Sequence, residues 1–132
     1  MYNATKYLRL SYTSDRANES DSIANQRKYI DEFVKRNPDI KIVNEQVDDG
    51  YSGIVFDRPA FKSMLEDIKS GKINCIIVKD LSRLGREYNE TFTYLRRVFP
   101  ALGVRFIAIN DNIDTAKEAV TGDISVSFKG VM

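Results

Sequence analysis

Residues 73–79 read INCIIVK, and this short, almost uninterrupted apolar run decides the class of fold. A strand whose sheet is covered by helices on both faces needs apolar side chains on both sides, so such a run is typical of the interior of a parallel sheet. The run follows Gly71, which is placed to end a helix, and it leads into the polar segment KDLSRLGRE. A helix, a buried strand and a second helix in succession indicate an α/β domain.

The flanking segments continue this alternation. Further strands are predicted at 4–11, 40–47 and 104–111. Helices are predicted from a cap at Ser20, Asp21 or Ser22 to about Arg36, from a cap at Asp57 to Gly71, and from Gly85 or Arg86 to Pro100. The tail from Thr115 has weak helical character at most. We therefore predict an open, mostly parallel sheet of about four to five strands with helices on both faces, its sites lying at the carboxyl ends of the strands.

Composition excludes several kinds of chemistry. The chain has 132 residues, enough for one domain, and no histidine, which rules out a Ser-His-Asp triad and the usual transition-metal ligand. Cys75 is the one cysteine, as expected in a reducing compartment. No segment is long and apolar enough for a membrane span. We expect a cytoplasmic protein whose net charge of +1 limits nucleic-acid binding to local clusters of basic residues.

The first predicted strand contains YLRLS at residues 7–11, where a charge and a hydroxyl alternate with leucines. Residues two apart in a strand share a face, so Tyr7, Arg9 and Ser11 lie on one side and the leucines on the other. The simpler interpretation is an edge strand with a polar face. The alternative is a strand that delivers a guanidinium and a serine to a site at its carboxyl end.

Three more arginines occupy positions suited to binding an anion. Arg58 lies in the first turn of a predicted helix, where a cation is disfavoured unless an anion joins it. Arg83 and Arg86 follow the most buried strand. Gln26 lies on the inward stripe of the first helix, where its side chain either bonds the main chain or points toward the serine site. Each arginine taken singly could be a surface or ion-paired residue. Four arginines around a serine suggest phosphoryl transfer with a serine nucleophile.

The chain resembles the catalytic domain of serine recombinases, the resolvase/invertase family, in four segments that occur in the same order: YLRLS, SIANQRKYI, DDGYSGIVFDRPAF and IIVKDLSRLGRE. The spacing of the second segment and the residue pattern of the third are most similar to those of the large serine recombinases of phages and mobile elements. The resemblance implies an α/β fold with a mostly parallel sheet and site-specific DNA recombination. In this family the serine forms a 5′-phosphoseryl link, strands are exchanged within a tetramer, and no metal or other cofactor is needed.

The resemblance also assigns roles to residues. Ser11 matches the nucleophile, and the residues that match the phosphate-binding arginines are Arg9, Arg58, Arg83 and Arg86. Supporting polar positions are matched by Tyr7, Gln26, Asp49 and Ser52. The small resolvases usually carry an aspartate just before the first arginine of RLGR, whereas this chain has Ser82. Asp80 lies nearby but faces differently if the strand continues, so the group that orients the arginines stays open.

The family has a long helix after this domain, which builds the dimer and leads to DNA-binding domains, and it is not found in residues 1–132. We therefore expect an isolated catalytic fragment that binds DNA weakly by itself, with dimers and tetramers formed by the full-length protein. Two other functions stay open: a serine-dependent phosphodiesterase or nuclease, and a catalytically inactive regulatory domain of the same fold. The target DNA and the host element are not given by the sequence.

Overall fold

A computed structural model of the protein describes residues 1–11 and 22–117 of the chain. Its elements, in chain order, are β1 (Tyr2–Leu10), α1 (Ile23–Lys35), β2 (Ile40–Asp49), α2 (Pro59–Lys69), β3 (Cys75–Val78), α3 (Leu81–Leu84), α4 (Tyr88–Thr93), a π-helical turn (Tyr94–Val98), α5 (Phe99–Ala101), β4 (Arg105–Ala108) and β5 (Ile113–Asp114). Residues 12–21, which include the predicted caps Ser20 and Asp21, and the tail beyond Lys117 lie outside the described residues.

The strands of the described residues form one sheet in the order β2-β1-β3-β4-β5. The first four are mutually parallel, and β5 is antiparallel to β4. This confirms the predicted open, mostly parallel sheet. The ends of the strands differ from the predictions: β2 continues to Asp49 because it pairs with β1 along its whole length, Leu10 lying opposite Asp49. The two-residue β5 was not predicted.

Apolar side chains cover both faces of the sheet. Within β3, Ile76 and Val78 pack on one face, while Cys75 and Ile77 pack on the other, as the run at 73–79 predicted. One cluster includes Tyr7, Phe61, Met64, Phe99 and Phe106, and the other includes Leu8, Ile30 and Ile107. Full burial of each large side chain contributes about 1.5–3 kcal/mol. The interpretation of β1 as an edge strand with a polar face is therefore wrong, because β1 lies between β2 and β3 in the sheet and its side chains on both faces are buried.

The N-terminus of α2 is capped differently from the prediction. Asp57 was expected to cap it, but Arg58 is the N-cap residue and makes no capping bond with its side chain. Asp48, at the end of β2, instead accepts hydrogen bonds from the main-chain N–H groups of Ala60 at 2.9 Å and Phe61 at 3.0 Å. Asp57 is exposed and pairs with Lys62. A buried carboxylate at a helix N-terminus satisfies free N–H groups and faces the positive end of the helix dipole.

The segment after β3 holds a short helix that the sequence interpretation missed. The chain leaves β3 at Val78, and Asp80 caps the single turn of α3. A second cap at Glu87 starts α4, so the helix predicted from Gly85 or Arg86 begins at Tyr88. The helix then passes through a π-helical turn, in which the N–H of Phe99 bonds the carbonyl of Tyr94. Among the described residues, none of the helices combines the length and apolar character needed to cross a lipid bilayer.

Candidate active site

The carboxyl ends of β1, β2 and β3 meet at one edge of the sheet, as parallel strands require. Ser11 follows β1 directly and is buried. The carbonyl of Leu10 accepts hydrogen bonds from Gly50 N at 2.7 Å and Tyr51 N at 3.2 Å, which fastens the loop after β2 beside the serine. Gly50 makes this turn with a φ of 92°, a left-handed conformation that glycine adopts without strain.

Arg9 connects the two loops that surround this edge. Its side chain is fully buried, with a relative exposure of 0%. Its Nη1 donates to the carbonyl of Tyr51 at 2.9 Å, its Nη2 to that of Ser82 at 2.6 Å, and its Nε to that of Arg83 at 3.2 Å. The guanidinium therefore fixes the loop after β2 and the α3 turn after β3 relative to β1.

Arg83 lies against Arg9 at the end of α3. Its Nη1 donates to the carbonyl of Arg9 at 3.0 Å, and its Nε lies 3.5 Å from Oδ2 of Asp80. Asp80 also accepts hydrogen bonds from the main-chain N–H of Ser82 at 3.1 Å and from the Ser82 hydroxyl. The chain does not continue as a strand to Asp80: β3 ends at Val78, and the α3 turn brings the carboxylate back toward Arg83.

Arg58 is also buried and lies among aromatic side chains. It is 1% exposed and its guanidinium lies over the ring of Phe56, 4.6 Å from the centroid. It donates to the carbonyls of Val55 at 2.7 Å and Leu84 at 2.8 Å, and to the hydroxyl of Tyr7 at 2.8 Å. Its position at the start of α2 confirms the prediction of local structure, while direct binding of phosphate by Arg58 stays a prediction.

Tyr7 links this arginine to a buried carboxylate. Its hydroxyl accepts the hydrogen bond from Arg58 and donates to Oδ2 of Asp48 at 2.7 Å. Burial, reinforced by the Asp48 carboxylate, raises the pKa of the Tyr7 phenol far above its ordinary value. The phenol therefore stays protonated at neutral pH and serves as a hydrogen-bond bridge between the two charges.

Arg86 is the member of the arginine cluster that is exposed to solvent. Its main-chain N–H donates to the carbonyl of Gly53 at 2.7 Å. Gly53 fits tightly between two arginines: a Cβ there would lie 2.8 Å from Nη2 of Arg9 and 2.9 Å from Cγ of Arg86. The lack of a side chain at Gly53 thus allows the loop after β2 to pack directly on the cluster.

The four arginines lie close enough to influence one another. Burial is the largest cause that lowers the pKa of Arg9, and the charges of Arg58, Arg83 and Arg86 lower it further, to about 10. Such a concentration of positive charge is unfavourable in the free protein. A bound anion would offset it, because guanidinium groups pair strongly with phosphate oxygens.

Gln26 binds the main chain of β1 from the side of α1. Its Nε2 donates to the carbonyl of Arg9 at 3.0 Å, and its Oε1 accepts from the N–H of Arg9 at 3.3 Å. Ser52 is exposed, and its hydroxyl accepts from the N–H of Ile54 at 3.0 Å. Asp49 is exposed at the end of β2, opposite Leu10. Together with Tyr7, all four predicted supporting residues thus lie on the helix, strands and loop that form this edge.

Two buried polar residues at this edge were not predicted. Asp48 is almost fully buried and joins Tyr7 to the start of α2. Lys79 is also buried, and its Nζ donates to Oδ1 of Asn25 at 3.1 Å on the opposite side of the sheet from Arg58. The alternation along β2 was the available signal for Asp48, since Val47 and Asp49 are exposed on the other side.

Comparison with known families agrees with this arrangement. Residues 4–132 match the family described as Resolvase, N terminal domain. The chain belongs to this family. A search among curated proteins found no match.

Solved structures show the same resolvase fold. The chain is similar to a resolvase family site-specific recombinase from Streptococcus pneumoniae, with 30% identity, a TM-score of 0.75, and coverage of 99% of this chain and 86% of that chain. A serine recombinase from Sulfolobus solfataricus has 28% identity and a TM-score of 0.64, with 99% and 85% covered. The N-terminal catalytic domain of TP901-1 integrase shares the fold at 23% identity, with a TM-score of 0.80 and coverage of 98% and 92%. The present protein, as a member of the resolvase family, is a serine site-specific recombinase.

Proposed function

We propose that this domain cleaves and rejoins DNA with Ser11 as the nucleophile. The Ser11 oxygen attacks a backbone phosphate, a new serine O–P bond forms, and the bond from phosphorus to the 3′ oxygen breaks. The serine loses its proton, the departing 3′ oxygen gains one, and the DNA 5′ end stays attached to the protein. Attack by a 3′ hydroxyl on this ester reverses the step and rejoins the DNA, so the phosphodiester energy is conserved.

The observation that carries this proposal is the convergence of four arginines at the sheet edge where Ser11 follows β1. The guanidinium groups of Arg9 and Arg83 bond each other's main-chain carbonyls at this edge. The attack on a phosphodiester builds negative charge on the non-bridging oxygens. Preorganised cations stabilise that charge where it develops, and guanidinium groups do so with directed hydrogen bonds. The cluster is therefore complementary to the transition state, and the cost of holding its charges together falls when phosphate binds.

Within the cluster the arginines have different roles. Arg86 reaches solvent and makes the first contact with the DNA phosphate. Arg9 and Arg83, fixed by main-chain carbonyls, hold their charge at the reacting group. Arg58 adds positive charge from behind and, with Tyr7, fixes the start of α2. Gln26 holds the end of β1, while Asp49 and Ser52 shape the loop that faces the site.

The partners follow from this chemistry. Double-stranded recombination sites are the substrate, which fits the cytoplasmic localisation expected from the sequence. Breaking both strands at two sites needs four nucleophiles, so four copies of the domain act together, as dimers that form a tetramer. With a net charge of +1, the domain alone contributes little general attraction to DNA.

A covalent trapping assay tests the proposal. Full-length recombinase is incubated with a site that carries a nick near the scissile phosphate, so that the cleaved fragment diffuses away and the protein–DNA adduct accumulates. Ser11→Ala should abolish the adduct, and the exposed serine variant Ser70→Ala should form it as the wild type does. An adduct that persists in Ser11→Ala would overturn the nucleophile assignment. Free 5′-phosphate ends that appear without an adduct would indicate hydrolysis and thus a nuclease.

A further inference from the structure

The carboxylate of Asp80 occupies the space between the start of α3 and the guanidinium of Arg83. One oxygen, Oδ1, accepts from both the main-chain N–H and the hydroxyl of Ser82. The other, Oδ2, lies 3.5 Å from Nε of Arg83. The side chains are mostly shielded from water, with exposures of 20% for Asp80 and 3% for Arg83. This ion pair is therefore much less screened than one on the surface.

The contacts of Arg83 leave its guanidinium little freedom. Asp80 lies on the Nε side, and the carbonyl of Arg9 accepts from Nη1 at 3.0 Å. The Nε contact is an ion pair without hydrogen-bond geometry, so the Asp80 carboxylate restrains Arg83 through its charge while the Nη1 bond sets the position of the group. Loss of the Asp80 charge would remove this electrostatic restraint from a buried cation.

The local sequence explains why Asp80 can do this. Small resolvases usually carry an aspartate at the position of Ser82, directly before the first arginine of RLGR. Here the strand ends two residues before Asp80, and the α3 turn places residues 80 and 83 one turn apart on the same side. Ser82 uses its hydroxyl to hold one carboxylate oxygen, which directs the other toward Arg83.

We propose that Asp80 is the positioning residue for Arg83 in strand cleavage and supplies the carboxylate that position 82 lacks. The inference rests on the proposed function, because it matters only if Arg83 stabilises the reacting phosphate. Asp80 does not touch the substrate. It acts by keeping the guanidinium of Arg83 in the orientation that the transition state requires.

Asp80→Asn separates this role from helix capping. Asparagine and aspartate are about equally good N-caps, so the variant keeps the α3 turn while removing the charge that faces Arg83. The rate of the Ser11–DNA adduct is measured in a single turnover with full-length recombinase, together with the DNA dissociation constant and the melting temperature. We expect the rate to fall by about 10- to 100-fold, the effect of a misplaced catalytic group. The dissociation constant should change by less than about twofold, since the lost interaction acts in the transition state.

The double variant Asp80→Asn with Ser82→Asp provides the rescue test. It returns a carboxylate to the neighbourhood of Arg83 from the other position, so the cleavage rate should recover most of the loss. Glu66→Gln, which neutralises an exposed carboxylate on α2, is the matched control and should cleave as the wild type does.

Three outcomes would overturn the proposal: normal cleavage by Asp80→Asn, a loss of rate that Ser82→Asp does not restore, or a loss that follows the melting temperature alone. Failure of the proposed function is recognised separately, because the wild type would then form no Ser11-dependent adduct. If the wild type forms the adduct and Asp80→Asn forms it at the same rate, only the positioning role of Asp80 is rejected.

Discussion

Arg9 and Arg83 each donate a hydrogen bond from the guanidinium to the main-chain carbonyl of the other, Arg9 Nε at 3.2 Å and Arg83 Nη1 at 3.0 Å. The crossed pair ties the end of β1 to the α3 turn and keeps two like charges side by side in a buried place. The carbonyl dipoles offset part of their mutual repulsion. The arrangement depends on the length and planarity of arginine on both sides.

Arg9→Lys should therefore be strongly destabilising although it conserves charge. An ammonium cannot reach the carbonyls of Tyr51, Ser82 and Arg83 together, so buried acceptors lose their donor. We expect the free energy of unfolding in urea to fall by about 2–4 kcal/mol. Arg36→Lys, at the exposed end of α1, should change it by less than about 0.5 kcal/mol. If Arg9→Lys were as stable as the wild type, the main-chain bonds of Arg9 would not fix the loops.

Anions should stabilise the protein through the arginine cluster. The folded-state pKa of Arg9 is about 10, below its ordinary value, so the repulsion among charged arginines is present below pH 10 and is relieved as Arg9 loses its proton at higher pH. A sulfate or phosphate ion relieves it at neutral pH. At ten times its dissociation constant an ion adds about 1.4 kcal/mol, or about 3–5 °C in melting temperature.

The measurement compares sulfate with chloride at equal ionic strength by thermal unfolding. Arg86→Ala removes the solvent-facing cation and should reduce the sulfate effect by half or more, whereas Arg97→Ala, an exposed arginine of the π-helical turn, should not. An equal response to sulfate in both variants would mean that the anion binds elsewhere.

The fold could be predicted from the sequence where the side-chain pattern and the pairing of strands agree. The apolar run at 73–79 is buried on both faces, which required a covered parallel sheet, and the alternation at 7–11 placed Tyr7 and Arg9 on the same face as the arginine cluster. Local pattern sufficed in these places because each residue's neighbours in the chain determine which way its side chain faces.

The parts that could not be predicted depend on contacts between distant residues. Asp57 precedes α2 and looked like its cap, but Asp48, which lies in another element, competes for the same N–H groups from a buried position. The direction of Asp80 likewise depended on whether the predicted strand at 73–79 continued. Its contacts with Ser82 and Arg83 follow from the end of β3 at Val78.

Alanine substitutions at Gly53 and Gly85 should affect different properties, the rate of adduct formation and the stability of the fold. A Cβ at Gly53 meets the guanidinium of Arg9 at 2.8 Å and the Arg86 side chain, which can shift but then leave their positions in the site. A Cβ at Gly85 meets the ring of Phe56 at 2.3 Å, inside the core. Gly53→Ala should lower the rate of adduct formation by about tenfold or more at temperatures where the variant is fully folded, consistent with a misplaced catalytic group. Gly85→Ala should lower the melting temperature while the folded variant keeps its rate. A normal rate in folded Gly53→Ala would contradict this division.

The chain of bonds from Arg58 through Tyr7 to Asp48 should behave as one energetic unit. Tyr7→Phe removes the hydroxyl that both charges share, and Asp48→Asn replaces the carboxylate that accepts from Tyr7 and from the start of α2. Each single change should lower the free energy of unfolding by about 1–3 kcal/mol, because a buried charged group loses a partner. In the double variant the two effects should overlap, leaving a coupling energy of about 1–2 kcal/mol in a double-mutant cycle.

A second cycle, Tyr7→Phe with Glu66→Gln, supplies the control, since Glu66 lies on the exposed side of α2 and should add to Tyr7→Phe within about 0.5 kcal/mol. Additive effects of Tyr7→Phe and Asp48→Asn would show that Asp48 acts only as a helix cap. If Arg58 acts on the phosphate as proposed, the adduct rate of Tyr7→Phe should fall less than that of Arg58→Ala, which removes the charge itself. The two rates thus separate the charge of Arg58 from the accuracy with which Tyr7 places it.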